Sequence, residues 1–86
     1  MPPNPKSERL FRAWDALDKR CIEVKINGNA RKAFVDELKT RVKNKEDHNA
    51  LRVMILSHNE KLDLDQEPTL REFIAAYRDS PACSEQ

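Results

Sequence analysis

The sequence predicts an all-α fold, a small bundle of about four helices. In four segments the apolar residues recur every three to four positions, which is the period of a helix with one buried face. The 86-residue chain has one glycine, and its prolines stand at positions 2, 3, 5, 68 and 81, at the ends of these segments. Because glycine and proline interrupt helices, their scarcity within the segments favours helices.

The first helix is predicted to run from Ser7 to Ile26 and to end at Asn27-Gly28. Its apolar residues fall on one stripe, which is expected to face the core. The stripe consists of Leu10, Trp14, Leu17, Cys21 and Val24.

An alternative α+β fold would place one short hairpin at about 21–35. Ile22, Val24 and Ile26 alternate with charged residues, and Asn-Gly is a common hairpin turn. The residues at 29–33 include no β-branched side chain to form the returning strand. The end of a helix therefore fits this segment better.

Three more helices are predicted at about 29–43, 44–59 and 68–78. The third is apolar nearly all round, which predicts a central position, although 53–56 alone would also suit a buried strand. The acidic connector at 61–67 is expected to pin Leu62 or Leu64 to the core. The predicted core consists of Leu10, Trp14, Leu17, Phe34, Leu38, Leu51, Met54, Ile55, Phe73, Ile74 and Tyr77.

The predicted organisation is a disordered arm at 1–6, a single helical domain at 7–80 and a flexible tail at 81–86. No segment resembles a secretory signal or the roughly 18 apolar residues of a membrane span. Cys21 and Cys83 are too few and too differently placed for a disulfide scaffold. We therefore expect a cytoplasmic protein in a reducing compartment, without membrane partners.

Catalytic and metal sites find little support in the sequence. A phosphate-cradling loop needs several glycines. Asp63, Asp65 and Glu67 match the start of a calcium loop, but proline follows where the loop needs glycine to turn. His48 and His58 would lie about 15 Å apart on one helix, too far to share a metal. We expect no enzyme activity, no cofactor and no small-molecule substrate.

Charge is distributed unevenly along the chain. Residues 1–45 carry twelve Lys/Arg and six Asp/Glu, a net of +6, whereas residues 46–86 carry four and nine, a net of −5. The densest basic run forms the basic stripe, a possible phosphate-binding surface that Asp36 partly neutralises. The basic stripe comprises Arg31, Lys32, Lys39, Arg41 and Lys43.

A second candidate surface lies off the main stripe of the first helix. Phe11 and Ile22 are three turns apart on one line, with Ile26 near it, and together these residues define the apolar seam. Exposed aromatic and aliphatic residues flanked by charge are typical of helix-to-helix interfaces. The first functional hypothesis is therefore a non-enzymatic regulator or accessory factor that binds a protein or self-associates. The alternative is a nucleic-acid-binding regulator that uses the basic stripe.

Overall fold

The computed structural model describes residues 4–84 and shows five helices in this range. They are α1 (Pro5–Glu23), α2 (Gly28–Lys43), α3 (His48–His58), α4 (Pro68–Asp79) and α5 (Pro81–Ser84). Residues 4–84 contain no strand, so the predicted small all-α bundle is confirmed. The alternative hairpin at 21–35 and the alternative strand at 53–56 are both wrong.

The first helix begins earlier than the sequence suggested. Asn4 is its N-cap, and the Asn4 side chain accepts a hydrogen bond of 2.9 Å from the backbone N–H of Lys6. Pro5 then suits the first helical position, where its missing N–H leaves no helical hydrogen bond unmade. The predicted arm at 1–6 therefore enters α1 from residue 5 onward, and its residues 1–3 lie outside the described range.

The predicted tail at 81–86 also differs in part. Residues 81–84 form the short helix α5, which packs against α1, α2 and α4. Ala82 and Cys83 are partly buried against the core. Residues 85 and 86 lie outside the described range.

The first helix ends at Glu23, and a lysine rather than Asn27-Gly28 closes it. Lys25 adopts the left-handed conformation, with φ of 69°. The N–H of Ile26 donates to the carbonyl of Cys21 at 2.8 Å, and the N–H of Lys25 donates to that of Ile22 at 3.1 Å. These two bonds form a Schellman motif, the usual way to satisfy the last carbonyls of a helix. Gly28 instead begins α2, also with positive φ.

The second helix ends in the same way. Lys45 has φ of 59°, and the N–H groups of Lys45 and Glu46 donate to the carbonyls of Val42 and Arg41 at 3.0 and 3.2 Å. Asp47 then caps α3 by accepting from the N–H of Ala50 at 2.8 Å. The third helix therefore begins at residue 48, four residues later than predicted.

Replacing Lys25 or Lys45 by glycine is expected to stabilise the fold, by about 0.5–1 kcal/mol each. A side chain raises the energy of the left-handed conformation, and glycine removes that cost, although it also makes the unfolded chain more flexible. The urea midpoint of unfolding measures the change. Lys19→Gly is the matched control, because glycine inside a helix destabilises by about 1 kcal/mol. A midpoint lowered equally by all three substitutions would contradict this explanation.

The fourth helix, not the third, occupies the centre of the bundle. It packs against α1, α2 and α5, and its Leu70 and Phe73 are fully buried. The third helix packs mainly on α2 and buries only one face, while its Val53 is 58% exposed. The prediction of a central third helix is therefore wrong.

The predicted core is otherwise found where the sequence placed it. All its members are buried except Trp14, which is half-buried and packs against the core from its edge. Within residues 4–84, no helix is both long and apolar enough to span a lipid bilayer.

The connector between α3 and α4 is part of the core. Leu62 and Leu64 are 0% and 1% exposed, so both are pinned where one was expected. Arg52 holds the connector from α3 through two hydrogen bonds to Asp63, at 2.9 and 3.0 Å. Asp63 is thus engaged in an ion pair between two segments of the bundle.

Candidate partner-binding surface

Two of the three residues of the apolar seam lie on the surface. Phe11 is 76% exposed and Ile22 is 50% exposed, and both lie on the outer face of α1. Ile26 is only 6% exposed, because the left-handed turn at Lys25 directs the chain back towards the core. Ile26 therefore does not belong to the exposed surface, and the prediction that included it is wrong.

Beside Phe11 lies a shallow, open groove, here called the outer groove. Phe11, Trp14, Asp15 and Asp18 line its volume of about 310 Å³. A second hollow of about 200 Å³ shares Trp14 and Asp18 and extends over the start of α2 towards Arg31. The exposed surface of α1 thus continues onto α2.

Trp14 lies between this surface and the core. Its ring meets the ring of the buried Phe73 edge-on, with centroids 5.9 Å apart. The ammonium nitrogen of Lys39 lies 4.3 Å from the centroid of the indole, a distance typical of a cation–π interaction. The indole is therefore held in place by packing on α4 and by a cation from α2.

The two carboxylates of the outer groove make only surface ion pairs. Asp15 lies 3.1 Å from Lys19, and 61% of its side chain is exposed. Asp18 lies 3.7 Å from Arg31, and 42% of its side chain is exposed. Exposed pairs of this kind contribute little free energy, so both carboxylates remain accessible to another cation.

Carboxylates from the same chain pair with most of the basic stripe. Lys32 donates to Asp36 at 2.8 Å, a hydrogen bond that raises the pKa of Lys32 and lowers the pKa of Asp36. The same aspartate lies 3.8 Å from Lys39. Lys43 is exposed at the last position of α2. Lys32, Lys39 and Lys43 thus fall on one side of α2, and Asp36 partly neutralises the first two.

The arginines of the basic stripe are paired as well. Arg31 faces Asp18, as described above. Arg41 donates to Glu37 at 3.2 Å and to Glu46 at 2.8 Å, and these hydrogen bonds raise the pKa of Arg41, with Glu46 as the larger cause. A phosphate would have to compete with these carboxylates for both guanidinium groups.

Some of the unevenly distributed charges form ion pairs within the folded chain. Three cations of α1 pair with three acids around α4, so the basic and acidic parts of the chain meet across this interface. Glu67 is the most buried of the acids, at 8% exposed, and accepts from Arg20 at 3.0 Å. The pairs are Lys6–Asp79, Arg9–Glu72 and Arg20–Glu67.

Both histidines bind carboxylates rather than each other. The Nε2 atom of His48 lies 2.6 Å from Asp65, and that of His58 lies within hydrogen-bonding distance of Glu37. Among residues 4–84 no group of three or more His, Cys, Asp or Glu side chains is arranged to hold a metal ion. Burial raises the pKa of the Cys21 thiol to about 11, which keeps it protonated at neutral pH.

The apolar seam predicted from the sequence does not include Asp15 or Asp18. Their position beside Phe11 can nevertheless be predicted from helix geometry, because at about 100° per residue both aspartates fall within about 40° of Phe11. Trp14 was assigned to the core because it shares the stripe of Leu10 and Leu17, and its position at the edge of that stripe is what exposes it.

Acid is expected to destabilise the fold. A hydrogen bond from a basic neighbour lowers the pKa of four carboxyls, those of Asp36, Glu37, Asp63 and Glu72. Since their folded pKa values lie below the unfolded ones, their contribution is complete above the unfolded values of about 4 and is lost as pH falls through the folded values.

Urea midpoints measured from pH 7 down to pH 2 test this expectation. They should stay level to about pH 5 and then fall. A Glu37→Gln, Glu72→Gln variant should have a lower midpoint at pH 7 and a shallower decline in acid. A midpoint that rises below pH 4 would contradict the assignment of these pairs.

No model of a known protein family matches this chain, and neither a curated protein nor a solved structure shows significant similarity to it. The exposure, charge and chemistry of the chain's own residues therefore indicate its function. Of the two predicted surfaces, the face around Phe11 presents apolar side chains to solvent, whereas the basic stripe presents cations that are largely paired.

Proposed function

We propose that this chain is a small, non-catalytic, cytoplasmic regulator or accessory factor that docks on a larger protein through the outer face of α1. The observation that carries the proposal is the exposure of Phe11, which leaves 76% of a large aromatic side chain in water beside the outer groove. Ile22 extends the same line towards the end of α1.

The physical argument is the free energy of burying these side chains. A large aromatic ring buries roughly 150–250 Å² when covered, and apolar burial stabilises by about 25 cal/mol per Å². Scattered exposed aliphatic residues are common on any protein, but an aromatic ring at a groove is where interface hot spots concentrate. Docking at this face would also leave the packing of the core unchanged, since Phe11 and Ile22 lie outside it.

Binding to nucleic acid is less well supported. Counterion release requires cations that are free to meet phosphates. Lys32 and Arg41 each donate to a carboxylate of the same chain, so part of their charge is already compensated. We therefore treat nucleic-acid binding as an outcome to be tested rather than as a second proposal.

The test compares two sets of substitutions of exposed apolar residues. In a pull-down from an extract of the source cells, the double variant Phe11→Ala, Ile22→Ala should retain at least tenfold less of a specific binding protein than the unmodified chain does. Its melting temperature should change little. Val53→Ala is the matched control, because Val53 is 58% exposed but lies on α3. Equal capture by the double variant, the control and the unmodified chain would refute docking through α1.

A second arm tests the nucleic-acid alternative. The full chain is titrated with short duplex DNA at low and moderate salt, and Lys32→Glu with Lys39→Glu serves as the charge-reversal variant. Binding that falls steeply with salt and disappears in this variant, while the Phe11 and Ile22 substitutions have no effect, would overturn the proposal in favour of a nucleic-acid-binding role.

A further inference from the structure

We infer that the outer groove binds a basic side chain, arginine or lysine, of the partner protein, so that the docking segment is a basic amphipathic helix. This inference rests on the proposed function and names the chemistry of the partner. It follows from what lines the outer groove, from a cation that this molecule already holds in similar surroundings, and from the spacing of residues along α1.

The lining of the outer groove suits a cation. Two aromatic rings, those of Phe11 and Trp14, stand beside the two carboxylates of Asp15 and Asp18, and the lining includes no basic residue. The face of an aromatic ring attracts an ammonium or guanidinium group, and a nearby carboxylate adds a charge-assisted hydrogen bond. Arginine uses both interactions at once, because its planar guanidinium stacks on rings and donates to carboxylates.

The same combination already holds a lysine in this molecule. The ammonium of Lys39 lies over the ring of Trp14 at 4.3 Å and 3.8 Å from a carboxylate oxygen of Asp36, and only 24% of the Lys39 side chain is exposed. An aromatic ring together with an aspartate therefore orders a cation here. In the part of the chain that the structure describes, no cation lies over the ring of Phe11.

Local competition for the two aspartates is weak. Lys19 reaches Asp15 from one turn away and is itself 75% exposed, so its ion pair is a solvated one. Arg31 approaches Asp18 no closer than 3.7 Å. Pairs like these contribute at most about 1 kcal/mol, and a partner cation that also covers the Phe11 ring has the additional cation–π attraction.

The spacing along α1 indicates a helix as the docking segment. Phe11 and Ile22 lie about 16 Å apart on one line, at 1.5 Å of rise per residue, and the two aspartates lie between them. A partner helix along this line would place its cations over the aspartates and the neighbouring ring of Phe11, with apolar side chains on either side of them. A basic amphipathic helix supplies both kinds of side chain, apolar anchors on its docking face and cations at the border of that face.

A second copy of this chain fits the surface less well. Antiparallel pairing of α1 with itself would place Phe11 against Ile22, but it would also oppose Asp15 and Asp18 of the two copies, which repel each other.

The chain's only tryptophan, Trp14, lines the outer groove and gives a direct signal for the test. The probe is a synthetic amphipathic helix without tryptophan or tyrosine, with leucines at both ends of its apolar face and two arginines between them. The matched peptide carries citrulline, which is neutral and of similar shape, in place of both arginines. Each peptide is titrated into the full chain while Trp14 emission is followed.

The arginine peptide should change Trp14 emission and bind about tenfold more tightly than the citrulline peptide. Asp15→Asn with Asp18→Asn should abolish that difference, whereas Val53→Ala should keep it. Both aspartates are exposed and outside the core, so the double variant is expected to fold.

Three results would overturn the inference. The first is equal affinity for the two peptides, the second is a preference for arginine that survives in the double aspartate variant, and the third is no change of emission with the arginine peptide. The proposed function is tested separately, by protein capture with the Phe11 and Ile22 substitutions and by the DNA titration. A partner segment without basic residues would thus contradict the inference but not the proposed function.

Discussion

Replacing Phe73 by alanine is expected to lower the free energy of unfolding by about 3–5 kcal/mol. Phe73 is 0% exposed, and its ring meets Trp14 edge-on at 5.9 Å and stacks on Tyr77 at 6.2 Å. Alanine would leave a cavity in the most enclosed helix of the bundle. A domain of this length has a total stability of roughly 4–13 kcal/mol, so the loss would unfold a marginal protein.

Urea denaturation followed by circular dichroism measures this effect. Phe11→Ala removes the same ring from the surface and is the matched control, with an expected change of about 0.5 kcal/mol or less. Two equal losses would mean that Phe11 is packed in solution, which would contradict both the position of the core and the docking face.

Leu64→Ala is expected to destabilise the fold by about 2–5 kcal/mol, although the residue lies in an irregular, acidic connector. Leu64 is 1% exposed, and Arg71 donates to the carbonyls of Leu64 and Asp65 at 2.9 and 3.0 Å, which fixes the backbone on both sides of this side chain. The connector therefore fills part of the core instead of merely joining two helices.

Thermal unfolding of Leu64→Ala and of Gln66→Ala shows whether the connector contributes to the core or only joins two helices. Gln66 is exposed in the same connector, so its substitution should change the melting temperature little. If both variants had the melting temperature of the unmodified chain, the connector would not contribute to the core.

The helical stripes were predictable because periodicity depends on the helix alone. Leu10, Leu17 and Phe73 repeat at helical spacing, and all are buried. The ends of the helices were harder to predict. Ser7 and Asn4 are both good N-caps, and only the structure shows that the chain uses Asn4. Nothing in the local sequence marks Lys25 for a left-handed turn, since glycine was available three residues later.

The third helix was misplaced for a different reason. Its composition is apolar, but burial depends on how many neighbours surround a helix, which a single segment does not encode. Val53 remains in water because α3 packs mainly on α2, whereas α4, with a cleaner single stripe, receives neighbours on several sides. Apolar content alone therefore overestimated how deeply α3 is buried.

The candidate surface was predictable only in part. A wheel of α1 places Phe11 and Ile22 off the main stripe, and both prove to be exposed. The basic stripe was the alternative surface, and its pairing with Asp18 and Glu46 could not be predicted because it depends on contacts between helices or across a turn. Tertiary structure thus changed the relative weight of the two surfaces, and the functional hypothesis built on the first remains a proposal.

The central position of α4 has a consequence for how this protein is made. Translation delivers α1 and α2 first, yet α4, which packs against both of them, follows α3 in the chain. Until α4 emerges, the apolar face of α1 has no long-range partner of this kind, and exposed apolar surface on a nascent chain favours aggregation and chaperone binding. The largest helix interface of the bundle therefore joins segments about 60 residues apart and forms only after most of residues 5–79 have been made.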